Sequence, residues 1–487
     1  MCTLRWPRSL IFVLLVLLGA GCGVDSSTQD SGVIVKADSG SNPVDSGMPA
    51  SDSGTQWPAD SGTNQPVDAG GMPVDAGGMP SDAGALPDSG TPDAGPNNPV
   101  DAGVETFYSE ATLRRRTEFL ASDALKGRDE GTPESAAARQ FIIDELTACG
   151  VAPQVTGNSF TQAIIGGNGT NILGWVQGTD VTSRERFVIV SAHYDHIGSS
   201  GSTIYNGAQD NATAVASVLA VACKMASAPL PRSVLIALWD AEEPNTFLTP
   251  EMGSQYWVAH PTVPLTKLDV ALVLDLVGGN LWGTEQGHNV LGAESATQVR
   301  TALDSVPVPN GLRARLGGLH LAEETPLGFQ PWSDYDAFRN SHIPHVFFSD
   351  GQNPRYHTVN DDSSFIDFPK LVKETTYLGG VTRALASASA TPVWVDNGAD
   401  YLRDANTVIG MLNDALAPTT GIVDSLGLSG SSKTKMQSDL TAVTAVQTKL
   451  MGGGTASSGD KQTLRSAIQR IICFAGQGTP QSLCRAI

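Results

Sequence analysis

The sequence predicts an α/β protein: a three-layer sandwich with a mainly parallel central sheet, followed by a C-terminal α-helical segment. Three observations carry this. Phe187–Val190, Val234–Leu238, Val270–Leu274 and Val346–Phe348 are short, uniformly apolar runs, as strands covered on both faces must be. Stretches with apolar residues at helical spacing alternate with them, the pattern of strand–helix–strand units. Acidic or imidazole residues follow the runs closely, and open sheets of this kind place their sites beyond the carboxyl ends of the strands.

In chain order, Met1–Gly21 holds Arg5 and Arg8, an apolar run from Leu10 to Leu18, and small residues before Cys22. The run is too short to span a bilayer, so 1–22 is expected to be a signal peptide. Leu18-Gly19-Ala20-Gly21-Cys22 resembles a bacterial lipoprotein signal, which implies export to the cell envelope and a membrane anchor through a lipidated Cys22. It departs from that signal in carrying Gly19 where a leucine is usual. Residues 23–104 repeat Asp-Ser-Gly or Asp-Ala-Gly eleven times with Pro interspersed. Such a segment has almost nothing to bury and is expected to be a disordered linker, with an r.m.s. span of roughly 50 Å. Its twelve aspartates against Lys36 hold −11 of the chain's net charge of −20. The acidity therefore belongs mostly to the linker and says little about a substrate. A nucleic-acid partner is not expected.

From about Thr106 the chain reads as globular, with a catalytic domain expected over 105–390. Leu113–Leu120 and Ser135–Cys149 have helical spacing, joined by the loop Lys126–Pro133. A helix after Asp210-Asn211 carries Val215, Val218, Leu219, Ala222 and Met225. Over 391–487, Ala405–Leu416, Lys433–Met451 and Asp460–Phe474 read as helices broken by Gly-rich stretches; this segment is expected to be structural or partner-facing. Cys473 and Cys484 are expected to form a local disulfide in an exported chain. Cys149 and Cys223, in helical apolar contexts, read as buried free thiols.

The chemistry lies in His193, Asp195, Asp210, Glu242, Glu243, Asp275 and His357. Each has an ordinary local reading: Asp210 as a helix cap, Glu242-Glu243 as a solvated turn, His357 as a surface histidine. An acid closing an apolar run nevertheless needs a partner, because burying it alone is costly. Two imidazoles and several carboxylates at one end of a sheet suit a pair of zinc-like ions, which take His nitrogen and carboxylate oxygen at about 2.0–2.2 Å. A carboxylate can bridge ions about 3.5–4 Å apart. A metal-dependent hydrolase is expected.

The motifs LASDALKGRDEGTPESAA, SAHYDHIG, NGAQDNATAVASVLAVA, WDAEE, MGSQYW, LDLVGG, WSDYDAF and YHTVNDD resemble those of the co-catalytic zinc exopeptidases, metallopeptidase family twenty-eight, over about Leu113–Ala386. The family includes secreted aminopeptidases, glutamate carboxypeptidase and the glutaminyl cyclases. The resemblance implies two Zn²⁺ ions: Asp210 bridging, His193 and Asp275 completing one site, Glu243 and His357 the other. It also implies that Glu242 is the general base, that Asp195 orients His193, and that the substrate is a peptide or small protein. An aminopeptidase is expected; a glutaminyl-cyclase-like acyl transferase and a non-catalytic binding module on the same fold are the alternatives. Gln209 stands where the family often has an acid, Asp240 where it has a small residue, and Pro244–Glu251 lengthens a rim loop. Arg128 and Tyr356 are possible substrate contacts. His196, His342 and His345 match no position of the pattern and are expected to be core or supporting residues.

Overall fold

The computed structural model describes residues 106–475, apart from 284, 326, 327 and 429. The expected signal peptide, the lipidated Cys22, the repeat linker and Cys484 lie outside the described residues. The described residues belong to one compact unit.

A nine-stranded sheet organises it. Its strands are β1 (Ala152–Pro153), β2 (Thr161–Ala163), β3 (Thr170–Val176), β4 (Phe187–His193), β5 (Ser233–Trp239), β6 (Leu268–Leu274), β7 (Gly287–Leu291), β8 (Arg313–Gly317) and β9 (His345–Ser349). The order is β1-β3-β5-β4-β6-β9-β7-β8, with β2 also paired to β3. The four neighbours β5, β4, β6 and β9 are mutually parallel. They are the four apolar runs of the sequence, and each is buried along its whole length. The flanks depart from the parallel pattern: β3 runs antiparallel to β5, and the parallel pair β7–β8 joins antiparallel to β9.

The two-residue period of a strand sorts these side chains onto two faces. Val188, Val190, Ile236, Leu238, Val270 and Leu272 join the core beneath helices α1 (Glu110–Leu120), α2 (Pro133–Ala148), α3 (Thr213–Ser227), α5 (Thr297–Ser305) and α7 (Phe368–Ser387). Ile189, Leu235, Trp239, Ala271 and Val273 face the other way, towards α4 (Gly253–Ala259) and α6 (Tyr335–Asn340). There the Trp239 ring lies 5.7 Å from Trp257 and 6.3 Å from Phe338. These are the three layers. The helix starts follow from local chemistry: the Thr132 hydroxyl accepts from Ser135 N–H at 3.1 Å ahead of Pro133, and Asp367 accepts from Lys370 N–H at 3.0 Å.

One expectation is overturned. Cys149 and Cys223 are not free thiols but form a disulfide, with Cα atoms 5.0 Å apart. Cys149 caps α2 and Cys223 sits late in α3. Each lies in an apolar local context, and only the packing of the two helices brings their sulfurs together.

Three helices, α8 (Tyr401–Leu416), α9 (Gly430–Met451) and α10 (Ser458–Ala475), build a second core from Val408, Leu412, Met436, Val443, Leu464 and Ile468. Leu281 and Trp282, from the segment between β6 and β7, belong to that core. α8 lies along β8, the last strand of the sheet. Asp404 accepts from Gly318 N–H at 2.8 Å, Asp414 pairs with Arg315 at 2.7 Å, and the Thr407 hydroxyl donates to the Leu316 carbonyl.

Candidate metal centre

All four central parallel strands deliver functional side chains at their carboxyl ends. His193 is the last residue of β4 and Asp275 the first after β6. Glu242 and Glu243 follow β5 through a turn in which Ala241 takes a left-handed conformation (φ 60°). His357 lies in the loop after β9, and Asp210 in the connection from β4 to α3. Asp210 does not cap α3, because Ala212 holds that position.

Ligand-type atoms converge in two groups that share Asp210: His193 with Asp275, and His357 with Glu243 and His196. On the first side, His193 Nε2 lies 3.4 Å from Asp210 Oδ1 and 3.4 Å from Asp275 Oδ1. On the second, His357 Nε2 lies 3.1 Å from Asp210 Oδ2 and 3.0 Å from Glu243 Oε2. The two oxygens of Asp210 thus face different groups. His193, Asp210 and Asp275 lie in one group, and Asp210, Glu243, His357 and His196 in the other.

The donor set fits divalent cations on an independent ground. His193 Nε2, Asp210 Oδ2, Asp275 Oδ1 and His357 Nε2 are all buried without a hydrogen-bond partner, a costly condition unless something else satisfies them. The titration tendencies agree. Burial alone would lower the His357 imidazole, yet Glu243 and Asp210 push it up to about 11. His193 is likewise raised against its burial by Glu242 and Asp275. So many buried carboxylates favour positive charge beside them, and divalent cations would supply it.

Glu242 is set apart. It belongs to neither group of ligand atoms, its carboxylate is 3.8 Å from His193 Nε2, and burial pushes its pKa well up. Asp195 lies behind His193: its Oδ1 is 3.6 Å and its carbonyl 3.3 Å from Nδ1, while Oδ2 accepts from Glu243 N–H at 3.1 Å. One residue thus steadies a member of each group. Asp240 accepts from the Tyr194 hydroxyl at 2.7 Å and from Thr170 N–H at 2.7 Å, tying β3 to the site loops.

Sequence reasoning missed His196. Its Nδ1 is 2.7 Å from Glu243 Oε1 and 3.7 Å from Asp210 Oδ2, inside the second group and fully buried. The one available signal was its place at the end of His-Tyr-Asp-His. His345, by contrast, is a core residue stacked on Tyr335, and His342 packs against Trp394. Arg128 is not a substrate contact, being only 1% exposed and directed inward. Tyr356 stacks on His357 with ring centroids 3.8 Å apart. Gln209 has a packing role, its amide donating to Leu276 O at 3.1 Å and accepting from Asn353 at 2.6 Å.

A third buried cluster, His288, Asp350 and Glu374, also has metal-ligand spacing. The Lys370 ammonium already lies 3.1 Å from Asp350 and 3.4 Å from Glu374, so the chain supplies that cation itself.

A shared carboxylate between two His/carboxylate groups, with a spare glutamate beside them at the end of an α/β sheet, defines a metallohydrolase-type site. Residues 171–377 match the model of peptidase family M28, a zinc-dependent family. The protein is therefore peptidase-like and metal-dependent. No curated protein matches the chain. Among solved structures, the chain is similar to the Legionella pneumophila LapA aminopeptidase, with 14% identity over 58% of this chain and 74% of that one and a TM-score of 0.45. It is similar to the aminopeptidase from Aneurinibacillus sp. strain AM-1, with 13% identity over 60% and 98% and a TM-score of 0.46. It is also similar to the Bacteroides thetaiotaomicron glutaminyl cyclase, with 18% identity over 57% and 98% and a TM-score of 0.42. Values this low carry no weight for substrate or activity.

Proposed function

We propose that the chain is an exported exopeptidase, an aminopeptidase, anchored to the cell envelope through Cys22 and using two Zn²⁺ ions. The observation that carries the reading is the division of Asp210, with Oδ1 towards His193 and Oδ2 towards His357. A bridging ligand needs that geometry and a helix cap does not. The preference for a free amino end rests on the family resemblance of the motifs, and the anchor on the Leu18–Cys22 signal.

Divalent cations held by His193, Asp210 and Asp275 and by Asp210, Glu243 and His357 would supply Lewis acidity for ionising a water near neutral pH and polarising a carbonyl oxygen. The chain's own residues do the rest. Glu242, a buried carboxylate outside both ligand groups, accepts a proton from the attacking water and returns it to the departing amine nitrogen. The C–N bond breaks as the water oxygen joins the carbonyl carbon. Asp195 holds the His193 ring, so that Nε2 keeps its lone pair directed into the site.

The test is metal analysis of the purified protein, followed by a panel of aminoacyl substrates, dipeptides and a peptide with N-terminal Gln. Two metals per chain and release of amino-terminal residues support the reading. One metal with cyclisation of the Gln peptide would make the protein an acyl transferase. Neither metal nor turnover would leave a binding module.

A further inference from the structure

Beneath the site, two buried side chains of opposite charge grip one short stretch of main chain. Arg128 comes from the loop between α1 and α2 and Asp361 from the loop after His357; they are 1% and 3% exposed. Between them runs 206–210, which ends in the residue both ligand groups share.

Arg128 spends its hydrogen-bonding capacity on carbonyl oxygens. Its Nε donates to Tyr194 O at 2.9 Å, Nη1 to Leu120 O at 2.5 Å and Asn206 O at 2.7 Å, and Nη2 to Gly207 O at 3.0 Å and Asp210 O at 3.5 Å. A guanidinium has five N–H donors in a fixed fork, and here five carbonyls receive them. One of these belongs to Tyr194, between His193 and Asp195. Two belong to Gly207 and Asp210.

Asp361 treats the same stretch from its other polarity. Its Oδ1 accepts from Gln209 N–H at 2.8 Å and its Oδ2 from Asp210 N–H at 3.0 Å, while its own carbonyl accepts from Ala208 N–H at 3.2 Å. The chain between the grips cannot relax by changing residue type. Gly207 has φ 61°, and a Cβ there would strike Asp210 O and the His196 ring.

We infer that Arg128 and Asp361 are positioning residues that fix the main chain of Asp210, and through it the spacing of the two ligand groups. This inference rests on the proposed metal centre. The physical reason for a charged pair is that a shared carboxylate serves two sites only if its backbone tolerates little displacement. Charge-assisted hydrogen bonds to carbonyls and amides are stronger and shorter than neutral ones. The cation also lies near Asp195, Asp210 and Glu243, so it opposes part of their mutual repulsion while the site is assembled. Neither residue touches substrate.

The test uses the full chain with two conservative variants, Arg128→Lys and Asp361→Asn. Lysine keeps the charge but loses the planar fork; asparagine keeps the shape but presents one acceptor oxygen to two amides. Zinc affinity is measured by competition with a chromogenic chelator, alongside kcat, KM and Tm. The expected result is at least a tenfold loss of zinc affinity in each variant, with KM within twofold of wild type. Saturating zinc is expected to restore part of kcat. Variants that keep wild-type zinc affinity, with or without a lower Tm, would overturn the inference and leave a structural pair. A rise confined to KM would overturn it in favour of substrate contact. Should Arg128→Lys fail to fold, Asp361→Asn decides alone by the same readouts. A wild-type protein that takes up no zinc would overturn the metal-centre reading itself, and with it this inference.

Discussion

Glu242 and Glu243 are adjacent in sequence and opposite in chemistry. Glu243 presents its oxygens to His196 at 2.7 Å and His357 at 3.0 Å, whereas Glu242 stands outside both ligand groups. Consecutive side chains after a strand point in different directions, so one turn can place a ligand and a free base side by side. Glu242→Gln is expected to keep full metal content and lower kcat by at least about 10²-fold, the low end of a positioned base's contribution. Glu243→Gln is expected to lose one metal per chain, with activity partly recovered in excess metal. Metal stoichiometry and kcat measured together check both, and loss of metal from Glu242→Gln would exchange the roles. At this scale much was legible. His193, Glu242, Glu243 and Asp275 each follow an apolar run by a few residues, and such acids need partners. His196 was not legible, because its place depends on how the irregular chain after β4 sets it against Glu243, 47 residues on.

Among elements, the four buried strands could be read from their apolar runs and α1, α2 and α3 from helical spacing, whereas α4, α5, α6 and α7 were not assigned. The flanking strands could not be read. β7 and β8 have mixed burial and join the sheet antiparallel to β9, a direction set by the connecting loops and not by composition. The α2–α3 disulfide is the other feature decided between elements. Cys149 and Cys223 are 74 residues apart in the chain, and closing a loop of that size restricts the unfolded chain. Removing such a bond typically costs about 2–5 kcal/mol. The double variant Cys149→Ala/Cys223→Ala is expected to lose stability of that order in urea or thermal unfolding. It should retain metal and kcat at 25 °C, because neither cysteine is among the ligand groups. A loss of metal content at unchanged stability would contradict this.

For the whole molecule, the C-terminal helices and the acidic repeats make opposite predictions. α8 pairs with β8 through Asp404, Thr407 and Asp414, and the second core takes in Leu281 and Trp282 from between β6 and β7. Truncation after residue 390 would expose that apolar surface and uncover an edge strand, a ready site for aggregation. It is expected to yield insoluble protein or a species that binds apolar dyes, and a soluble, active 1–390 fragment would refute the packing argument. Deleting residues 23–104 should instead leave metal content and kcat unchanged, since both described ligand groups are drawn from residues 193–357. Cys22→Ser is expected to move the protein from the membrane fraction to the soluble one. Unchanged membrane retention would remove the lipid anchor from the proposal.

The sequence by itself determined the four apolar strands of a mainly parallel sheet, helices α1, α2 and α3, and the residue types gathered beyond the strand ends. These follow from short-range regularities: apolar runs, helical spacing, and ionisable residues where a strand must end. Only the tertiary structure decided that Asp210 turns one oxygen to each ligand group, that His196 belongs to the second, and that Arg128 and Asp361 hold the intervening chain. It alone decided the pairing of Cys149 with Cys223 and the seating of α8 on β8. Each of these is a contact between residues distant in sequence, or a direction taken by a side chain at a turn. Local pattern carries no record of either, because both are set by how the layers pack.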